Sequence, residues 1–372
     1  MDFRPEEQAV ADDFGSKIIP FEQIRENMEI APESNYFGQL LKYRTGAFRL
    51  PGTKTPVRYS VHKGQTKLFV SELIALCKKQ LTVVYAGAAP GSHILALSEL
   101  FPDLEFHLYD PAEFDARLTK KSKIHVYRQI FDDEAVAKWT GKEILFISDI
   151  RTGSVEVSES DEFDENFEEC VKTDMDMQKA WIKTMFADVA NFAALVKFRL
   201  PYVTDEDIIV PYLKGTLIYQ PYSRGSSSER RLYITTLEEI GYSSKAHEDN
   251  MFTINFLRSF VRGNYNLKIR DVFPNFCGCI DCTTTALAFE QYLAISKLPG
   301  LAIENCFKIM TTATKQTLPD YHGTSPEMPM NTIWPFLLRD VTQKRMTADK
   351  IRKERNWEKH VMPLAGKKPN KK

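Results

Sequence analysis

A chain of 372 residues with 43% hydrophobic side chains has enough apolar material for a sizeable core, in one large domain or two smaller ones. Its formal net charge of −1 argues neither for nor against a nucleic-acid partner. Six cysteines without a secretory leader argue against a disulfide framework, and no apolar run is long enough to span a bilayer. The expectation is a soluble, reduced, intracellular protein with no membrane partner.

Residues 1–49 hold scattered apolar positions, several acids and Pro5, Pro20 and Pro32, and read as an arm wrapping a core. From Gly64 to Lys79, Leu68, Phe69, Leu73, Leu76 and Cys77 recur at helical spacing. A strand from Leu81 follows, then a helix after Gly91, a strand ending at Asp110, a strand at Ile124 to Tyr127 and a buried strand from Ile144 to Asp149. Glu156 to Asp176 is strongly acidic and reads as a loop. Met177 to Phe192 places Trp181, Met185, Val189 and Phe192 on one face of a long helix. Ala194 to Leu200, Thr216 to Pro221 and Arg231 to Thr235 read as strands, and Thr283 to Ile295 as a helix. This alternation predicts an α/β fold, a mostly parallel sheet with helices on both faces. Residues 339–372 form a basic tail that either touches RNA or an acidic partner or is merely solvated.

The most informative stretch is Val83 to His93, a short apolar strand that breaks into Gly87-Ala88-Ala89-Pro90-Gly91 and opens a helix. Such a turn lets backbone approach a ligand at the carboxyl end of a sheet. About twenty residues on, Asp110 stands where a carboxylate commonly grips a ribose diol. Pro90 removes an N–H that a pyrophosphate would use, so the turn suits a nucleoside without phosphates, such as S-adenosylmethionine.

Lys67, Asp149, Lys197 and Glu229 are polar residues in apolar surroundings near strand or helix ends. Converging at one sheet edge, they would form an alternating charge network suited to deprotonating a hydroxyl. Burial and a second cation favour a neutral lysine, while carboxylates orient it and oppose that effect. A methyl sulfonium is already a strong electrophile, so no metal is required. Each residue also has a plain reading. Lys67 can snorkel, Asp149 can cap a helix, Lys197 can end a strand, and Glu229 can be a surface acid paired with Arg231.

From about Gly64 to Leu232 the chain resembles the poxvirus cap-specific mRNA 2′-O-methyltransferase family, whose members also serve as the small stimulatory subunit of the viral poly(A) polymerase. The resemblance lies in Gly64-Gln65-Thr66-Lys67-Leu68, Tyr85 to His93, Ile147 to Arg151, Lys197 to Tyr202, and Gln220-Pro221-Tyr222 with Ser228 to Leu232. It implies a Rossmann-like methyltransferase over residues 50–338 that uses S-adenosylmethionine and converts cap-0 to cap-1 on capped mRNA. It also implies a poly(A) polymerase catalytic subunit as partner, and location in the host cytoplasm and virion.

By the same resemblance Lys197 activates the 2′-OH, Lys67 and Glu229 tune and hold it, and Asp149 lies near the sulfonium. The implied methyl-donor residues are Gln65, Leu68, Tyr85, Gly87, Pro90, Gly91, His93, Asp110, Phe131, Asp149 and Arg151. A family arginine two residues beyond the ribose-binding aspartate is Ala112 here.

For a methylated guanine, Tyr202 stands at a stacking position, and Glu248 and Asp205 are the candidate carboxylates. Other family aromatic positions fall on Ile30 and Ser226, and Tyr36 is a substitute ring from the arm. Two other functions stay open: an RNA-binding processivity subunit with a vestigial site, and a 2′-O-methyltransferase indifferent to the cap. Cys277, Cys279 and Cys282 form a Cys-x-Cys-x-x-Cys cluster lacking a fourth ligand at diagnostic spacing. Buried cysteines at a helix start explain it more simply.

Overall fold

The computed structural model describes residues 3–15, 17–43, 61–152, 165–201, 207–223, 227–258, 260–263 and 278–315. Tyr202, Thr204, Asp205, Ser226, Cys277 and the basic tail lie outside these residues.

The amino-terminal part forms α1 (Pro5–Gly15), β1 (Ile18–Ile19), α2 (Phe21–Glu26) and β2 (Glu29–Ile30). Then come α3 (Val61–Lys78), β3 (Thr82–Ala86), α4 (Ser92–Leu100), β4 (Phe106–Tyr109), β5 (Ile124–Tyr127), α5 (Asp133–Trp139) and β6 (Ile144–Ser148). The remainder is α6 (Glu165–Phe186), β7 (Ala193–Phe198), β8 (Ile209–Ile218), β9 (Arg230–Ser243), α7 (Ser244–Leu257), β10 (Arg262–Gly263), α8 (Ile280–Ile295) and α9 (Ile303–Thr314).

The main sheet has the order β2-β8-β9-β7-β6-β3-β4-β5. Strands β5, β4, β3, β6 and β7 pair in parallel, while β9, β8 and β2 add antiparallel pairs. Helices α3, α4, α8 and α9 pack together, and α5 packs on α6. This is a Rossmann-like α/β fold. The chain leaves β3 for β4 on one side and returns to β6 on the other, so the switch point lies between β3 and β6. In open sheets of this kind ligands bind there, beyond the carboxyl ends of the strands.

Central strands are apolar throughout because both faces are covered: β6 is buried at every position. The arm adds β2 to the sheet edge and then runs along α7. There Tyr36 N donates to Asn250 Oδ1 at 3.3 Å, and Leu41 N donates to Thr253 Oγ1 at 2.8 Å.

Helices α5, α7 and α9 are additions to the sequence reading, and the bounds of α6, β8 and β9 differ most from it. Helix α6 begins at Glu165 and ends at Phe186, so it takes in the second half of the acidic stretch and leaves out Val189 and Phe192. Its acids find partners: Lys172 Nζ meets Asp176 at 2.7 Å, and Glu168 pairs with Arg199. Phe192 instead stacks on Phe186 at 4.3 Å, closing the turn into β7. Strand β8 begins at Ile209, well before Thr216, and β9 runs on to Ser243. Pro211 and Gly215 interrupt the strand pattern, yet a register shift between Leu213 and Gly215 absorbs the irregularity. A Cβ at Gly215 would lie 2.6 Å from Tyr233 O, so close backbone approach selects the glycine.

The turn after β3 is fixed by backbone contacts. Gly87 has φ +78°, and a Cβ there would meet the Asp149 and Ile150 backbone at 2.8–2.9 Å. Gly91, at φ +68°, is the N-cap of α4. Gly87→Ala is therefore expected to cost about 2 kcal/mol or more, from left-handed backbone strain plus displacement of the β6 end. Denaturant unfolding checks this; a loss within 0.5 kcal/mol, the usual scale of a neutral surface change, would contradict it.

Candidate active site

Polar side chains at the carboxyl ends of β6 and β7, the start of β9 and the first turns of α3 converge. Lys197 Nζ lies 3.0 Å from Asp149 Oδ1 and 3.9 Å from Glu229 Oε2, and donates to Ile150 O at 3.1 Å. Lys67 Nζ donates to Glu229 Oε1 at 2.8 Å. All four residues singled out from sequence therefore form one chain of alternating charge. Glu229 is buried, with a side chain 10% exposed; it is not a surface acid. Lys67 turns its ammonium inward onto that carboxylate.

A fifth member was not recognised from sequence. Arg231, 1% exposed, donates to Asp149 Oδ1 at 2.7 Å and to Ser148 O at 2.9 Å. It sits 3.9 Å from Glu229 Oε1, so its closer partner is Asp149. Within a strand, Arg230-Arg231-Leu232 carries no pattern that marks one arginine as central. Only the β7–β9 register, with Lys197 opposite Arg231, brings them together. Burial alone would raise the Asp149 carboxyl, but Arg231 and Lys197 outweigh it and hold the group below the usual carboxylate range. Glu229 behaves alike: burial opposes ionisation, and Lys67, Lys197 and Arg231 override it. Both are carboxylates at neutral pH, and they hold Lys197 between them.

Lys197, Arg199, Arg151 and Glu229 face a cleft whose other wall is α6, through Cys170, Val171, Asp174, Met175 and Gln178. Arg151, with half its side chain exposed, reaches Glu229 Oε2 at 3.5 Å. Asp174 accepts from Thr152 Oγ1 at 2.8 Å, and Gln178 Nε2 donates to Lys197 O at 3.2 Å. The wall formed by α6 was missed because its acidic first half reads as loop.

The implied methyl-donor residues divide into two groups. Gly87, Pro90, Gly91 and Asp110 form the turn and the neighbouring strand end. Asp110 accepts from Ala89 N at 3.1 Å and from Ala112 N at 2.8 Å. Gln65, Tyr85 and His93 lie behind the turn, each at most 3% exposed. Glu72 joins them. Tyr85 Oη donates to Glu72 Oε1 at 2.8 Å, His93 Nε2 meets Glu72 Oε2 at 3.0 Å, and His93 Nδ1 meets Gln65 Oε1 at 2.7 Å. This buried network ties α3 to β3 and α4 and fixes the turn from behind. Leu68 is buried on α3. Phe131, 2% exposed, packs against Tyr109 and Trp181 at 5.1 Å each, while its neighbour Ile130 is 65% exposed.

These residues fit a methyl-sulfonium nucleoside. Glycine at positive φ keeps side chains off the turn, a carboxylate ends β4 for a diol, and another ends β6 for a cationic centre.

Glu248, one of the candidate carboxylates, is buried on α7, and burial together with Asp249 pushes its carboxyl up to about 7. Its neighbour His247 bonds Ser228 O at 2.9 Å, next to Glu229. Tyr36 is fully buried, with its ring 6.2 Å from that of Tyr219, and Ile30 lies within β2, so neither is an exposed ring. Cys279 is the N-cap of α8 and accepts from Cys282 N. Among the described residues no helix is long and apolar enough to cross a membrane.

Two Myxoma virus proteins, of strains Lausanne and Uriarra, are each named cap-specific mRNA (nucleoside-2′-O-)-methyltransferase. Each is 26% identical over 232 residues, covering 57% of this chain. The match spans 59% of the length of these relatives. A solved structure of coclaurine N-methyltransferase bound to N-methylheliamine and SAH aligns over 84% of each chain at 12% identity, with a TM-score of 0.21. The fold assignment rests on the sheet order instead. The sequence model described as poly(A) polymerase regulatory subunit matches residues 50–270, the span that carries the charge cluster, the turn and α7. The chain belongs to the poly(A) polymerase regulatory subunit family.

Proposed function

We propose that this protein transfers a methyl group from S-adenosylmethionine to the 2′-OH of the first transcribed nucleotide of capped mRNA. The observation that carries this reading is the placement of Lys197 Nζ, 3.0 Å from Asp149 and beside Glu229, at the mouth of the cleft.

The methyl donor supplies an electrophilic methyl group when bound. The chain supplies orientation and proton transfer. Asp149 and Glu229 aim the Lys197 amine, and Lys67 holds Glu229 from the far side. Arg231 is permanently charged and keeps Asp149 ionised, so Asp149 orients Lys197 without taking up the proton itself. A neutral Lys197 amine accepts the 2′-OH proton as the oxygen attacks, and becomes ammonium between two carboxylates. The products are a 2′-O-methyl ribose and S-adenosylhomocysteine, whose neutral thioether keeps the electron pair of the broken C–S bond. In-line positioning across the cleft supplies the rest of the rate. Arg151 and Arg199, on the cleft wall, are suited to RNA phosphates.

Tyr202 is assigned as a stacking platform for the methylated guanine, with Glu248 and Asp205 as its carboxylates. Family membership further supports a poly(A) polymerase catalytic subunit as partner, and action in host cytoplasm with packaging in the virion is part of the same proposal. A cap-indifferent RNA 2′-O-methyltransferase is the second reading, favoured by the burial of Tyr36, which leaves fewer candidate cap rings.

Lys197→Met should abolish transfer while leaving S-adenosylmethionine binding within about threefold, and Lys197→Arg should fail equally because guanidinium cannot deprotonate. Labelled methyl transfer and donor titration check both; near-normal transfer by either variant would refute the base assignment. Tyr202→Ala should weaken capped RNA at least tenfold more than uncapped RNA, as measured by competition binding.

Because Glu248 titrates at about 7, it is partly protonated at neutral pH in the free protein. A cationic guanine favours its ionised form. Cap-analogue affinity should therefore rise as pH increases from 6 to 8, and Glu248→Gln should flatten that profile. A wild-type profile already flat would remove Glu248 from the cap site.

A further inference from the structure

Far from the cleft, at the amino ends of β4 and β5, three ligand-bearing side chains gather on one face of the sheet edge. His107 of β4 and His125 of β5 are register partners across the parallel pair. Their imidazole rings stack with centroids 4.5 Å apart and planes within 19°. Glu105, just before β4, brings its Oε2 to 3.7 Å from His107 Nε2. One ligand atom from each residue lies within 4.8 Å of the other two. We propose that Glu105, His107 and His125 bind a divalent transition-metal ion, zinc being the chemically best suited, remote from the methyl-transfer cleft.

Two imidazoles and a carboxylate are a borderline-soft donor set that zinc, nickel and copper prefer over magnesium or calcium. Tetrahedral zinc needs ligand atoms roughly 3.3–3.5 Å apart, as follows from its bond lengths of about 2.0–2.1 Å. From the present stacked arrangement, with ligand atoms up to 4.8 Å apart, the rings and the carboxylate must turn about their side-chain torsions for the lone pairs to converge on one ion. Glu105 is exposed and free to swing. The histidines are half-buried.

The surroundings orient the ligands. His107 Nδ1 meets Tyr127 Oη at 3.2 Å, which leaves Nε2 for the ion, and Trp139 packs against the ring at 4.6 Å. Lys138 is the nearby cation, held over the Tyr127 ring at 4.6 Å. Strand β5 is the sheet edge, so an ion shared between β4 and β5 would pin that edge.

The test is zinc titration by calorimetry on chelator-treated full-length protein, followed by electron paramagnetic resonance of the copper(II) form. The expected result is a site of one equivalent whose copper signal shows two nitrogen ligands. His125→Ala should lower zinc affinity at least tenfold and leave one of the two nitrogens. Glu105→Gln, an exposed change that cannot unfold the core, should also weaken zinc. Zinc should raise the thermal midpoint of wild type by a few degrees but not that of His125→Ala. No uptake at millimolar zinc would overturn the proposal. So would uptake that neither variant changes, which would assign the ion to the cysteines or to the adventitious surface.

Discussion

The contact on which the site depends is the one Asp149 makes with two cations at once. Its Oδ1 lies 2.7 Å from Arg231 and 3.0 Å from Lys197. That single oxygen ties the ends of β6, β7 and β9 together. The same residue's backbone packs against Gly87, so the turn after β3 is set by the same strand end. A buried ion cluster is poor value as a source of stability, because desolvation consumes most of its Coulomb energy. Its use here is geometric. It presents one lysine amine to the cleft in a defined direction, with its partners satisfied.

Behind the turn, the Glu72 network does a comparable job with neutral and charged hydrogen bonds. Tyr85 and His93 both converge on one carboxylate, and Gln65 is held through His93. Side chains that the resemblance assigns to the methyl donor are therefore immobilised by the core. A crevice lined from behind in this way loses little ordering entropy on binding.

Much of this was legible in the chain. Lys67, Asp149, Lys197 and Glu229 stood out as polar residues within or beside apolar segments, the resemblance singled out the same four, and the fold then brings them together. Arg231 and Glu72 were not legible. Each sits in a segment whose local pattern is ordinary, and each acquires its role only through a partner far away in sequence. The limits of β8 and α6 were misjudged for local reasons. Pro211 and Gly215 break strand alternation, yet a register shift accommodates them. The acids of α6 lower apparent helix content, yet Lys172, Arg199 and Thr152 neutralise or bind them. Tertiary partners overrode local propensity in both places. The histidine pair was invisible for a further reason: His107 and His125 meet only through the β4–β5 register.

The proposed cap site rests on fewer described residues than the proposed transfer chemistry. Glu248 adjoins His247, which bonds Ser228 O next to Glu229, so the two proposed sites share one segment. The most direct measurement is methyl transfer from labelled S-adenosylmethionine to a short RNA with and without an N7-methylguanosine cap, with the methyl mapped by nuclease digestion. The account predicts a methyl on the first-nucleotide 2′-OH that depends on the cap. RNA binding with no transfer to either substrate would contradict it and leave a polymerase-processivity role in its place.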